Sequence, residues 1–165
     1  PGDSVWVNSK ATGSLTLNHV LPGRTLYMLA TGTGLAPFMS LIRDPKLYAR
    51  YEQVVLVHSV RTAAELAYRD EIEALDNARL HYVPTVTREP FPTPQRGSDL
   101  FRSGGLSQRL GLPAPDPGQD RVMVCGNPDM TRELTRYLKD AGWTPTNHRG
   151  IGNFTTELAF VVHHE

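Results

Sequence analysis

Short runs of apolar residues recur along the chain, and each is followed by a turn and then by a helical pattern. The four clearest runs cover residues 26–30, 54–57, 80–86 and 122–125, and a fifth strand is expected near 155–161. Within these runs the apolar residues are continuous rather than alternating with polar ones. Such continuity is typical of strands that are covered on both faces, as in a parallel sheet.

The segments between these runs have the periodicity of amphipathic helices. Apolar residues fall on one stripe in 64–75 and again in 128–141, and a third helix is expected over 99–110. Asn127 can cap the start of the second segment, and Gly142 follows its end. Strands that alternate with helices predict an α/β fold, here a parallel five-stranded Rossmann-like sheet with right-handed crossovers.

Residues 1–24 have a different pattern. Two short apolar stretches, 5–7 and 15–17, flank a turn at Gly13 and predict a β-hairpin that belongs to a separate, β-rich unit. We therefore divide the chain into residues 1–24 and residues 25–165. Because the chain also opens without an initiator methionine, we expect it to be a piece of a larger protein.

Composition narrows the classes of function. The chain of 165 residues carries 17 basic and 17 acidic side chains, so it lacks the basic footprint of a nucleic-acid or polybasic membrane protein. Its apolar stretches are too short to cross a bilayer, so we expect neither nucleic acid nor membrane as a partner. A single cysteine, Cys125, excludes an internal disulfide and any multi-cysteine metal site. We assign no metal, and we expect a cytoplasmic location.

A glycine-rich turn, Thr31-Gly32-Thr33-Gly34, follows the first predicted strand. Glycines let backbone N–H groups approach a ligand closely, and the start of the next helix favours an anion such as a pyrophosphate. Pro37 stands where the third glycine of the G-x-G-x-x-G fingerprint would be. The motif alone is therefore equally consistent with a tight turn between a strand and a helix.

Polar residues also follow the other predicted strands, and parallel strands bring their carboxyl ends to one ligand-binding edge. The second strand is followed by Arg61, where an acidic residue would take the ribose 2′-hydroxyl of NAD. Arg88 ends the next strand, and Arg96 lies in the loop beyond. A single arginine is more often a solvated surface charge. Three together favour NADP over NAD, because guanidinium groups suit a phosphate.

Cys125 and Glu157 each allow more than one interpretation. Cys125 can be a buried core residue, a nucleophile without an obvious basic partner, or a soft side chain placed against a planar redox ring. Glu157 can be a surface residue of a strand or a carboxylate that reaches the same cleft. These alternatives stay open on the residues alone.

Motifs along residues 1–161 occur in an order that resembles one flavoenzyme family. They include Pro1-Gly2-Asp3, Thr12-Gly13-Ser14-Leu15, the 31–34 turn with Leu35-Ala36-Pro37-Phe38, His58-Ser59-Val60-Arg61, Thr85-Val86-Thr87-Arg88-Glu89, Val122-Met123-Val124-Cys125-Gly126 and Glu157-Leu158-Ala159-Phe160-Val161. The ordered set resembles the NADP-binding half of the ferredoxin–NADP⁺ reductase family, in its bacterial flavodoxin/ferredoxin reductase branch.

The resemblance implies that residues 25–165 form an NADP-binding domain and that residues 1–24 are the C-terminal remnant of an FAD-binding β-barrel that is otherwise missing. The full-length protein would be an oxidoreductase. It would transfer hydride between NADP(H) and FAD, and single electrons between FAD and ferredoxin or flavodoxin. The isolated fragment is expected to lack reductase activity.

The same resemblance assigns the site residues. Cys125 and Glu157 are the candidate catalytic residues, and Phe160 is expected near the flavin ring. The other cofactor-binding residues that it implies are Thr31, Gly32, Thr33 and Gly34 for the pyrophosphate, Arg61, Thr87, Arg88 and Arg96 for the 2′-phosphate, Ser59, and Gly126 beside the nicotinamide. Two alternatives remain: a non-catalytic nucleotide-binding module, and an NADH-dependent oxygenase or flavohaemoglobin-type reductase domain. The arginine cluster argues against the second.

Overall fold

The computed structural model describes residues 2–4, 6, 9 and 13–159, in which five parallel strands form one sheet. The strands are β1 (Gly23–Thr31), β2 (Tyr51–Val60), β3 (Leu80–Val86), β4 (Arg121–Gly126) and β5 (Phe154–Leu158). Their spatial order is β3-β2-β1-β4-β5, and each neighbouring pair is parallel. The predicted α/β fold is confirmed. The order reverses between β1 and β4, which is where ligands bind in sheets of this kind.

Helices connect the strands on both faces of the sheet. They are α1 (Ala36–Arg43), α2 (Pro45–Arg50), α3 (Arg69–Glu73), α4 (Gly97–Arg102), α5 (Gly105–Leu110) and α6 (Pro128–Asp140), with 3₁₀ turns at Leu17–His19, Gly32–Leu35 and Ala63–Glu65. None of the helices in the described part of the chain is long and apolar enough to span a membrane.

Two apolar layers explain why the strand residues are continuously hydrophobic. On one face Leu26 and Met28 of β1 pack with Phe38 of α1. On the other face Tyr27 of β1 packs with Leu134 of α6. Successive side chains of a strand point to opposite faces, so a strand covered on both sides needs apolar residues at every position.

The helix α6 agrees closely with its predicted span of 128–141, and its cap is the expected one. The Asn127 Oδ1 accepts a hydrogen bond from the Met130 N–H at 2.9 Å. The single helices predicted over 64–75 and 99–110 are wrong. The first is interrupted at Tyr68, whose φ is +60°, and the second is divided at Gly104, whose φ is +76°. Neither conformation belongs to a right-handed helix.

The β-hairpin predicted over residues 1–24 is not found in the described part of this segment. Leu17–His19 forms a 3₁₀ turn that Thr16 caps, so the strand predicted over 15–17 is wrong. Leu15 and Val20 are instead buried in the core beside β1. Val5 and Val7, from the other predicted strand, lie outside the described residues. The division of the chain at residue 24 stays a prediction.

Candidate functional site

The loop after β1 packs directly against the end of β4. A Cβ on Gly34 would lie 2.2 Å from the Cys125 carbonyl oxygen, and a Cβ on Gly126 would lie 2.1 Å from the Thr31 Oγ1. Since these distances leave no room for a side chain, both positions require glycine. The two glycines therefore allow the loop and the strand to meet at the point where the sheet order reverses.

The Thr31 hydroxyl links the same two strand ends. Its Oγ1 accepts hydrogen bonds from the Asn127 backbone N–H at 2.9 Å and from the Asn127 Nδ2 at 3.3 Å. Because Asn127 also caps α6, one threonine side chain connects the end of β1 to the start of that helix. Thr31 thus has a structural role in addition to its predicted place in the pyrophosphate site.

The predicted phosphate loop is open to solvent at its centre. Gly32 and Thr33 are exposed, whereas Gly34 and Leu35 are buried. Gly32 has a φ of +52°, a conformation that favours glycine, and it leads into the 3₁₀ turn Gly32–Leu35 and then α1. A left-handed residue followed by a right-handed turn makes a concave group of backbone N–H donors, which suits an anion.

Arg61 and Arg88 lie side by side beyond the ends of β2 and β3. The Arg88 N–H donates to the Arg61 carbonyl at 2.9 Å, and the Thr87 N–H and Oγ1 both donate to the Val60 carbonyl. Both arginine side chains are exposed, and within the described part of the chain neither forms a salt bridge. The two guanidinium groups are therefore free to bind an anion together.

Glu65 fixes the turn that follows Arg61. Its Oε2 accepts hydrogen bonds from the Thr62 N–H at 3.0 Å and the Arg61 N–H at 2.9 Å. These bonds lower the pKa of Glu65, and the positive charges of Arg61 and Arg88 lower it further by a smaller amount. Sequence reasoning missed this residue, although a threonine followed three positions later by a glutamate is a known capping signal.

Ser59 is buried and anchors the loop that carries Arg96. Its Oγ accepts from the Gly97 N–H at 3.0 Å and from the Thr85 Oγ1 at 2.7 Å. A Cβ on Gly97 would lie only 2.7 Å from that oxygen, so the loop reaches β2 because residue 97 is glycine. Arg96 is exposed immediately before α4. Ser59 and Arg96 were both predicted as site residues, and the structure shows that the first holds the loop bearing the second.

Cys125 and Glu157 are paired in register across β4 and β5. Burial, and to a lesser extent the Glu157 charge, raises the pKa of the Cys125 thiol to about 11. A thiol that stays protonated at neutral pH is unsuited to act as a nucleophile. The Glu157 Oε2 accepts hydrogen bonds from the Ser14 N–H at 2.8 Å and the Ser14 Oγ at 3.1 Å. Glu157 therefore connects the N-terminal segment to the carboxyl edge of the sheet.

His58 is a further residue at this edge that sequence reasoning did not assign to the site. It is fully buried in β2, and its Nε2 lies 3.0 Å from the Gly32 carbonyl oxygen. A titratable residue directly after the apolar run 54–57 was the available signal. Phe160, which was expected near the flavin, lies outside the described residues. Within those residues we find no group of three or more side chains that could hold a metal ion.

Comparisons with known proteins agree on one group. Residues 28–136 match the family model of the oxidoreductase NAD-binding domain. The ferredoxin–NADP reductase of Pseudomonas aeruginosa is 44% identical over 97% of this chain and 66% of that protein, and that of Azotobacter vinelandii is 46% identical with the same coverage. This chain thus spans just under two thirds of these relatives. A ferredoxin NADP⁺ reductase from Neisseria gonorrhoeae, solved with bound FAD and NADP, has a TM-score of 0.84 at 33% identity, covering 92% of this chain and 62% of its own.

The contact at Gly34 can be tested by stability. Gly34→Ala places a methyl group against the Cys125 backbone, so we expect the free energy of unfolding to fall by about 1–3 kcal/mol. Gly150→Ala is the matched control, because a Cβ on Gly150 would have nothing within 4 Å. Urea unfolding of both variants measures the difference. Equal stabilities would show that the close approach at Gly34 is not a real constraint.

The protonated state of Cys125 can be tested with a thiol reagent. A thiol that is buried and has a pKa of about 11 carries very little thiolate at pH 8. We expect 5,5′-dithiobis(2-nitrobenzoate) to react at least about 100-fold more slowly with the folded chain than with the chain unfolded in guanidinium. The chain has one cysteine, so the absorbance change reports this site alone. Comparable rates in the two states would restore the nucleophile interpretation.

Proposed function

This chain belongs to the oxidoreductase NAD-binding domain family, in the group of the ferredoxin–NADP reductases, and we propose that it is the NADP(H)-binding part of such an enzyme. The complete protein would pass electrons between NADPH and ferredoxin or flavodoxin through FAD. A cytoplasmic location belongs to the same proposal.

The observation that supports this proposal best is the pairing of Arg61 with Arg88 beside the 31–34 loop. Their backbones are joined by a hydrogen bond, and their side chains form no salt bridge within the described residues. Strands in a sheet are about 4.8 Å apart, so the arginines at β2 and β3 lie one to two strand widths from the loop at β1. A dinucleotide lying across these strand ends can reach both anion-binding groups.

A preference for NADP follows from the charges at the end of β2. Enzymes that use NAD place a free carboxylate there to accept a hydrogen bond from the ribose 2′-hydroxyl. Here the Glu65 and Glu89 carboxylates accept hydrogen bonds from the backbone N–H groups of residues 61–63. Arg61, Arg88 and Arg96 add the positive charge that a 2′-phosphate requires. This arrangement argues against the NADH-dependent alternative.

The residues present fit a dinucleotide at the point where the sheet order reverses. Gly34 and Gly126 keep side chains out of the contact between the loop and β4, and a Cβ on Gly32 would have nothing within 4 Å. The exposed backbone at Gly32 and Thr33 is then free to donate to a pyrophosphate. Thr87 lies between the end of β3 and Arg88. Its N–H and its hydroxyl both donate hydrogen bonds to the Val60 carbonyl.

The contribution of this chain to the reaction would be positioning. When bound, NADPH supplies a hydride and FAD converts the electron pair into single electrons. The nicotinamide would lie at the end of β4, beside Gly126. Cys125 would present an uncharged, polarisable side chain there, and Glu157 would place a carboxylate beside it. Holding the reacting rings in a fixed orientation is a large part of what such an enzyme does.

We also propose that residues 1–24 are the end of the FAD-binding barrel of this reductase. The support within the described residues is the bond between Ser14 and Glu157, which brings the N-terminal segment to the same edge as Cys125. Phe160 would complete the flavin site from the other end of the chain.

Binding of 2′-AMP tests the assignment of Arg88. Arg88→Ala removes a charged hydrogen bond to the 2′-phosphate, so we expect the affinity for 2′-AMP to fall by about 1.5–3 kcal/mol. The weaker binding of 5′-AMP should not change. Isothermal titration measures both, and Arg149→Ala serves as the control because Arg149 is exposed near the start of β5, at the opposite edge. Equal affinities of the unchanged chain for 2′-AMP and 5′-AMP would contradict the preference for NADP.

A further inference from the structure

His58 is a buried titratable residue near the end of β2. It is fully buried and follows Val54, Val55, Leu56 and Val57 in β2, all of which belong to the core. Burying an imidazole in such a place costs free energy unless its polar atoms are bonded. Its position therefore calls for an explanation beyond packing.

The hydrogen bond to Gly32 determines which ring nitrogen carries the proton. A carbonyl oxygen can only accept, so the His58 Nε2 must be the donor in its 3.0 Å contact with the Gly32 oxygen. The Nδ1 atom is then unprotonated, and within the described residues it has no hydrogen-bond partner. Burial lowers the pKa of His58, so the ring stays neutral at physiological pH. The ring thus makes a single directed bond, and that bond is to the predicted phosphate loop.

This bond sets the direction of the peptide between Gly32 and Thr33. The chain has no cis peptide bonds in its described residues, so each carbonyl points opposite to the N–H of the following residue. With the Gly32 carbonyl held toward β2 by His58, the Thr33 N–H is directed away from β2. Gly32 has the left-handed φ of +52°, and a Cβ at this position would have nothing within 4 Å, so packing around its Cα does not fix the orientation of this peptide.

We propose that His58 is a positioning residue for the dinucleotide, in which the Nε2–H holds the Gly32 carbonyl and thereby aims the Thr33 N–H at the pyrophosphate. The inference rests on the proposed function, because it assumes that the 31–34 loop binds a pyrophosphate. His58 itself does not touch the ligand. Its effect should be confined to the pyrophosphate, since the 2′-phosphate lies at Arg61 and Arg88.

Two ligands separate this role from a general effect on the fold. The first, 2′-AMP, has the 2′-phosphate but no pyrophosphate, and the second, 2′-phospho-ADP-ribose, has both. His58→Leu removes the donor, and His58→Gln keeps an N–H at a similar distance from the backbone. We expect His58→Leu to lower the affinity for 2′-phospho-ADP-ribose at least about tenfold and to leave the affinity for 2′-AMP unchanged. His58→Gln should recover most of the lost affinity.

If His58→Leu binds both ligands as tightly as the unchanged chain, the positioning role is wrong. It is also wrong if His58→Leu lowers the affinity for both ligands equally and His58→Gln does not restore it. If the unchanged chain binds neither ligand, the proposed function fails instead.

A measurement on the unchanged chain covers the case in which His58→Leu does not fold. Nitrogen NMR of the imidazole should show the proton on Nε2, and the Thr33 amide should shift when 2′-phospho-ADP-ribose is added but not when 2′-AMP is added. A proton on Nδ1, or a Thr33 amide that responds equally to both ligands, would overturn the inference.

Discussion

The carboxyl edge of the sheet depends on the contact between the loop after β1 and the end of β4. At Gly34 and Gly126 the two backbones approach to distances at which a Cβ would overlap its neighbour. The Thr31 hydroxyl then joins the same two ends through Asn127. Because the strand order reverses between β1 and β4, a crevice lies above the ends of these two strands, and the contact forms its floor. Without it, the exposed backbone at Gly32 and Thr33 would have no fixed place.

At the ends of β2 and β3, charged residues determine the structure of the edge. Glu65 accepts two backbone N–H groups and thereby fixes the turn that carries Arg61, while Arg88 is tied to Arg61 through the backbone. The guanidinium groups are left without carboxylate partners in the described part of the chain, and they can bind a phosphate instead. The same set of bonds positions the two arginines, and this supports the proposed preference for NADP.

The strands, and the edge of the sheet at which the candidate site residues lie, could be predicted from the sequence because both depend on local patterns. Continuous apolar runs mark strands covered on both faces, and residues that follow such runs must lie at one edge. The helix breaks at Tyr68 and Gly104, by contrast, depend on single backbone conformations that hydrophobic periodicity does not encode. The roles of Ser59 and His58 depend on partners that are 38 and 26 residues away, at Gly97 and Gly32. No local pattern identifies such partners.

One titration tests most directly whether this edge holds a single dinucleotide. Amide resonances of the chain would be followed by NMR as 2′-phospho-ADP-ribose is added. We predict that Thr33 and Gly34, at the end of β1, shift together with Arg61 and Arg88, at the ends of β2 and β3, along curves that give one dissociation constant. Shifts confined to one of the two groups, or two different dissociation constants, would contradict the account.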